Sequence, residues 1–374
     1  MDLYVLDNEY QTQYNIDVFE SIIWKLKYNG CGEFEFYTPL NDYILEIFTF
    51  VREIKNGGDD CYVWLKDYDS YMIIEDMQIT TDIEKGYHFI VKGHGLESIL
   101  NRRIIWGKTN LDSKFQYAIN RLLNENVISP DNSSRTISNF IFEEVDDEYI
   151  QGLTVQAQYT GSNIYDTIEE LCGDAGLGFD VTFDQNYNFV FTLTNGVDRS
   201  YEQDDRPYVV FSRDYENLMS SEYNEETQNY KNVALVAGED ENLSQKRKNI
   251  TLGDETGLRR RELFVDARDL QSEYDDGTTM SDDVYTGLLE YRGYKKLLKK
   301  AYVQDMTCEI EAKNTFEYGY DFFLGDLVQV VNDLGISTKT RVTEFTIVQD
   351  DNGFSTYPTF AVDIEDDLDD EEDY

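Results

Sequence analysis

The sequence predicts a β-rich α+β fold, on three observations. The aromatic fraction is 14 %, with 29 Tyr and 21 Phe, and flat rings suit a pleated surface. Short runs alternate polar and apolar residues with period two, the mark of a half-buried strand. Asn-Gly steps that accept positive φ stand between those runs, and only a few stretches carry helical spacing. At 374 residues the chain is long enough for two or three domains and for burying roughly 75 % of its extended surface. The formal net charge of -43 would favour disorder only if apolar residues were scarce, and they make up 41 %.

Taken in order, residues 1–100 read as strands and tight turns. "CGEFEFYTPL" alternates Glu33, Phe34, Glu35 and Phe36, and "CYVWLKD" and "YHFIVKG" are aromatic and β-branched runs. Asn29-Gly30 and Asn56-Gly57-Gly58 read as hairpin turns. Residues 40–56 carry mixed spacing and read as a short helix or turn. From about residue 95 the period becomes helical, in "GLESILNRRII" and in "SKFQYAINRLLNENVIS", with Ser113 as N-cap and Pro130 beyond the end. A further helix spans 162–179, opened by Ser162 or Asn163 and stopped by Gly173 or Gly176. "FDVTFDQNYNFVFTLTNG" is a hairpin turning at Asp184–Asn188. Strands return over 208–240. An acidic loop leads to a helix near 282–303, where Leu288, Tyr291, Leu298 and Tyr302 share a stripe and the lysines face water. Strand, turn, strand, an Asn352-Gly353 hairpin and a last strand follow. Eight of the final ten residues, "EDDLDDEEDY", are acidic.

Several stretches resemble sites and are better read as structure. "GDAGLG" (173–178) has no preceding strand and no GK[ST], so it is a helix C-terminal turn rather than a phosphate cradle. "DQNYN" has Phe189 where a calcium loop needs Gly and Asn195 where it needs Glu, so it is a turn. His88 and His94 are the only histidines, and neither stands near a nucleophile elbow. Cys31, Cys61, Cys172 and Cys308 are too far apart for a CxxC zinc site and read as reduced, apolar side chains. No catalytic, cofactor or metal site is expected. No apolar run reaches about 18 residues, and the N-terminus has no signal-peptide pattern, so we expect a protein made in the cytoplasm without a membrane span. The acidity predicts repulsion from nucleic acid and anionic membranes.

One run stands against that acidity: "GDETGLRRRELFVDARDL", residues 253–270. Guanidinium forks bind carboxylates in a bidentate way. We therefore read Arg259, Arg260, Arg261, Glu262, Asp266 and Arg268 as ion pairs of a subunit interface or interdomain clamp, in preference to a phosphate site.

The opening block "LYVLDNEYQTQYNIDVFESIIWKLKYNGCGEFEFYTP" resembles the ReqiPepy-type siphovirus tail proteins. So, in order, do "VKGHGLESILNRRII", "YKNVALVAGEDE", "GDETGLRRRELFVDARDL", "YGYDFFLGDLVQVVNDLGISTKTRVTEF" and "GFSTYPTF". The acidic C-terminal tail departs from the pattern. The resemblance implies a baseplate-hub or tail-tip protein of the virion: a homotrimer whose subunits each supply two tube-forming β-barrel-like domains, making a pseudo-sixfold ring around the DNA channel. Its partners would be the tail tube or distal tail ring on one side and a tip, spike or fibre on the other, with DNA passing unbound. On this view residues 1–100, completed by about 205–240, form the first barrel-like domain. Residues 101–204 are an inserted α+β domain, and 241–374 form the second barrel-like domain. The rival functions are a receptor- or carbohydrate-binding tail protein and, behind it, a tail-associated cell-wall hydrolase.

Overall fold

The computed structural model describes residues 1–362 apart from 18, 83–85, 240–245, 254–255, 275, 301–302, 311–314 and 352. The acidic tail, Tyr302, Asn352 and the Cys308 side chain lie outside the described residues.

The N-terminal segment holds β1 (Leu3–Leu6), β2 (Thr12–Ile16), β3 (Ser21–Lys27), β4 (Glu33–Pro39), β5 (Tyr62–Leu65), β6 (Ser70–Asp82) and β7 (Gly86–Gly95), with helix α1 (Asp42–Gly57) after β4. In β4 the expected period is realised: Phe34, Phe36 and Thr38 are buried, while Glu33 and Glu35 reach Lys25 and Lys92. Helix α1 is longer than expected. Asn41 caps it by accepting the Ile44 N–H at 2.9 Å, and Ile44, Ile47 and Val51 form the stripe that packs on Phe34, Phe36 and Phe89. The glycines read as a hairpin end this helix instead, because Gly58 at φ 91° supplies the left-handed C-cap that a hairpin would also need.

The middle segment contains β8 (Thr109–Lys114), β9 (Phe140–Glu143), β10 (Thr154–Tyr159), β11 (Gly178–Phe183) and β12 (Phe189–Thr194). Its helices are α2 (Phe115–Leu123), α3 (Glu148–Gly152) and α4 (Ile164–Asp174). Residues 96–102 form a 3-10 turn rather than an α-helix. Ser113 lies within β8 and does not cap α2, whose N-cap position is Lys114, whereas Asn163 caps α4 as expected. The turn after β11 closes on Asp184 Oδ1, which accepts N–H groups from Asn186 and Asn188 at 2.7 and 2.9 Å. Its core includes Phe115, Ile119, Leu171, Phe179 and Phe191, and it runs without a break into Tyr62, Ile73 and Leu96 of the N-terminal segment.

The remainder comprises β13 (Val210–Ser212), β14 (Leu218–Glu226), β15 (Val233–Ala237), β16 (Arg247–Thr251), β17 (Glu262–Asp266), β18 (Val303–Ile310), β19 (Leu327–Val331), β20 (Ser337–Asp350) and β21 (Gly353–Val362), with α5 at Asp282–Leu298. Helix α5 buries Tyr285, Leu288, Leu289 and Leu297 and packs with β15, β16 and β17 around a third core.

Among the described residues no sheet closes into a barrel. The largest runs β13-β19-β20-β3-β4-β7-β6-β5-β1-β2, with β21 added to β20. Strand β20 is the branch point. One edge pairs β21 over residues 340–350, and the other pairs β19 over 337–341 and then β3 over 344–349. Strands at the two ends of the chain thus share one ladder.

Tyr28 fills the gap where β19 gives way to β3. Its N–H donates to Thr343 O at 2.8 Å, and its carbonyl accepts the Phe179 N–H at 3.2 Å. Its hydroxyl lies 3.0 Å from Thr194 O and 3.1 Å from Gly176 O, and the Arg341 guanidinium sits 5.4 Å from the ring centre. A Cβ at Gly178 or Gly325 would fall within 2.3 Å of Tyr28 atoms, so the ring is enclosed by bare backbone. Beside it, the buried Asp326 carboxylate accepts from Arg199 Nε at 2.7 Å, Val197 N–H at 2.8 Å and Phe323 N–H at 3.0 Å. Glu97, 7 % exposed, accepts the Val181 N–H at 3.3 Å. Burial first, and then the adjacent Asp180 carboxylate, push its carboxyl well above the ordinary 4.5.

Tyr28→Phe should cost about 1–3 kcal/mol in denaturant unfolding, because buried carbonyls lose their donor. Gly335→Ala, at positive φ with open space around it, should cost about 1–2 kcal/mol, and Gly325→Ala distinctly more, since strain and collision add. Arg199→Met should cost about 3–5 kcal/mol by leaving Asp326 buried and unpaired. The folded state holds a proton on Glu97 that the unfolded chain releases, so rising pH favours unfolding from about 4.5 up to the raised value. Glu97→Gln should flatten that part of the melting temperature profile relative to the parent.

Candidate assembly surface

The arginine run leads into β17, the edge strand of the three-stranded sheet β16-β15-β17. A buried asparagine sets its backbone: Asn232 Oδ1 accepts the Arg261 N–H at 2.8 Å, and its amide donates to Arg259 O at 2.9 Å. In β17, Val265 is buried and Leu263 half-buried towards α5, while Glu262, Phe264 and Asp266 are exposed. Phe264 is 63 % exposed, and Leu258 on the preceding turn is fully exposed. The outward face is therefore an apolar centre with charges at its ends.

Two ion pairs form among these residues, and both are local to the run itself. Arg260 Nε meets Glu262 Oε1 at 2.6 Å. Arg268 grips Asp266 with both ends of its fork, at 2.9 and 2.6 Å, which holds that carboxyl down to about 2. Arg261 goes to the Thr227 carbonyl and stacks over Tyr230. Exposed pairs of this kind shape the surface more than they stabilise the chain.

Sequence reasoning missed the clamp between distant segments, which α5 makes. Arg292 reaches Asp269 at 3.0 Å, Lys299 reaches Glu170 at 2.9 Å, and Lys295 Nζ donates to Asp174 O at 2.7 Å. The lysines expected to face water thus tie α5 to α4. Gln158 completes the joint, its amide accepting Gln271 N–H at 2.8 Å and donating to Gln271 O at 3.1 Å. Basic residues at the end of a helix look like a solvated face, so only the approach of Glu170 and Asp174 separates the two readings.

The histidines have structural partners. His88 stacks on Tyr37 with ring centres 4.7 Å apart, and His94 Nδ1 lies 2.5 Å from Glu75 Oε2. Cys61 and Cys172 are buried thiols, and Cys31 is half-buried. No helix among the described residues is long and apolar enough to cross a membrane.

The fold is similar to those of three solved tail proteins. A tail protein from Neisseria meningitidis MC58 aligns with TM-score 0.57 at 12 % identity, covering 97 % of this chain and 96 % of its own. The 43 kDa tail protein of prophage MuSo2 from Shewanella oneidensis aligns with TM-score 0.58 at 12 % identity, covering 97 % and 98 %. Prophage tail protein gp18 from Listeria monocytogenes EGD-e aligns with TM-score 0.56 at 11 % identity, covering 98 % and 95 %. A comparison with curated protein sequences finds no match. The model of the Siphovirus ReqiPepy6 Gp37-like protein family matches residues 2–360, nearly the whole chain, so this chain belongs to that siphovirus family, and its fold is that of phage tail proteins.

Proposed function

We propose that the chain is a tail hub: a homotrimeric ring that joins the tail tube, or a distal tail ring, to a threefold tip, spike or fibre. The observation that supports it most is the branching of β20. One chain carries two strand systems, β3-β4-β7-β6-β5-β1-β2 with α1 and β13-β19-β20-β21 with β18 packed beside β21, joined rigidly at that strand. Three such chains would present six strand systems to a sixfold tube, which is what a change from sixfold to threefold symmetry requires. Residues 1–100 then serve as first tube unit, 101–204 as peripheral insert and 241–374 as second tube unit, and β13 from the 205–240 stretch, expected to complete the first unit, pairs β19 of the second.

The acidic surface suits a channel through which DNA moves without binding, because like charge repels the phosphates. The outward face of β17 suits a subunit contact. Phe264 would be the apolar anchor, and Arg259, Arg260, Arg261 and Arg268 would be the charges that meet acidic surface on the next copy. A contact between unlike surfaces of identical chains closes into a ring when the rotation allows it.

The mass of the purified chain in solution, followed by electron microscopy of the same sample, should give a trimer with a central hole. Reversing the charges in an Arg260→Glu, Arg268→Glu double variant should reduce trimer formation at least tenfold. The chain's own melting temperature should hardly move, because both native pairs are exposed.

A further inference from the structure

The turn that leads out of the Tyr28 joint leaves two polar groups without partners. Asn29 follows Tyr28, and its side-chain oxygen is buried with no hydrogen bond among the described residues. Gly30 comes next, is buried, and its N–H also donates to nothing among them. Unpaired buried groups of either kind are rare, so two in succession ask for a cause. The Asn29 side chain is held in place all the same. Its amide nitrogen donates to Glu169 O of α4 at 3.0 Å, and a Cβ on Gly173 would fall 2.6 Å from that nitrogen, so bare backbone makes room for it.

Gly30 sits at φ 141°, and a Cβ there would meet Glu169 Oε1 at 3.2 Å, so the turn requires glycine. The missing side chain also leaves the Gly30 nitrogen unshielded towards Asn29. The other two Asn-Gly steps within the described residues differ. Gly57 lies in α1, where its N–H joins the helical ladder, and the Gly196 N–H is turned to the Tyr28 hydroxyl. Of the three steps, Asn29-Gly30 alone has its following nitrogen uncommitted.

We propose that Asn29 is a site of spontaneous covalent modification that loosens the Tyr28 joint. The Gly30 nitrogen attacks Asn29 Cγ, the new C–N bond closes a succinimide ring, and the bond from Cγ to Nδ2 breaks. The proton lost by Gly30 leaves with Nδ2 as ammonia. Water then opens the ring at either carbonyl, giving aspartate or isoaspartate. The reacting groups are neighbours held in one fold, and neither the attacking N–H nor the attacked carbonyl must first give up a hydrogen bond. Both products damage the joint. Aspartate places a charge where the side-chain oxygen has no donor, facing Glu169 O, and isoaspartate adds a methylene to the backbone next to Tyr28. All the groups come from one chain, so the site goes beyond the hub reading and holds whether or not the ring forms.

The test holds the folded full-length protein at mildly alkaline pH in water enriched with heavy oxygen and follows the label by peptide mapping. Label should enter at residue 29, as aspartate and isoaspartate, about tenfold faster than at Asn56 or Asn195 of the same molecules. Asn29→Gln should abolish it there, because the larger ring closes far more slowly, and should leave the other two steps unchanged. Asn29→Asp makes one product directly and should lower the melting temperature by about 4–6 °C. No label at residue 29 would overturn the proposal, since the fold would then protect the site. Equal label at all three steps would overturn it as well, since sequence alone would then set the rate. So would an Asn29→Asp chain that melts with the parent. The comparison of the three steps is made within the parent chain, so it stands even where a variant fails to fold.

Discussion

The structure depends on Tyr28 being held from three directions at once. Its N–H goes to β20 near the end of the chain, its carbonyl takes an N–H from β11 in the middle, and its hydroxyl reaches the carbonyls of residues 176 and 194. The side chain is 4 % exposed, and burial pushes its hydroxyl up to about 12, so it stays a neutral donor at any ordinary pH. Bare backbone must surround the ring, which is why Gly178 and Gly325 stand where they do. Because three segments meet on one residue, movement of any of them disturbs the other two.

Charge organises the rest. A chain of -43 repels itself, and its cations are placed where repulsion would otherwise open joints. Arg199 neutralises Asp326 inside the Tyr28 joint, and Arg292 and Lys299 hold α5 to its neighbours. The arginine run is different in kind, since its pairs are local and exposed and its backbone hangs on Asn232. That arrangement presents charge outward around Phe264, a use suited to meeting another molecule.

Local structure was largely legible in the residues. Alternation located β4, Asn163 located the start of α4, and Asp184 located the β11–β12 turn, because each depends on neighbours in sequence. The error at Gly57-Gly58 has a physical source: a hairpin and a helix C-cap ask the same positive φ of glycine. The joining of the two ends in one sheet was not legible, because β20 meets β3 across more than three hundred residues and pattern says nothing of partner. The joint was hidden for a related reason. Tyr28 is one tyrosine among 29 and Glu97 one acid among 75, and only their surroundings mark them.

Hydrogen exchange on the native protein tests the central claim most directly. The amides of Tyr28, Phe179 and Gly325 bond respectively to Thr343, Tyr28 and Val342, so they report the joint from each of its three sides. If Tyr28 couples the segments, all three should open together, with one free energy equal to that of global unfolding. Exchange at Phe179 that proceeds at clearly lower free energy, while Tyr28 and Gly325 stay protected, would show the insert opening alone and would contradict the account.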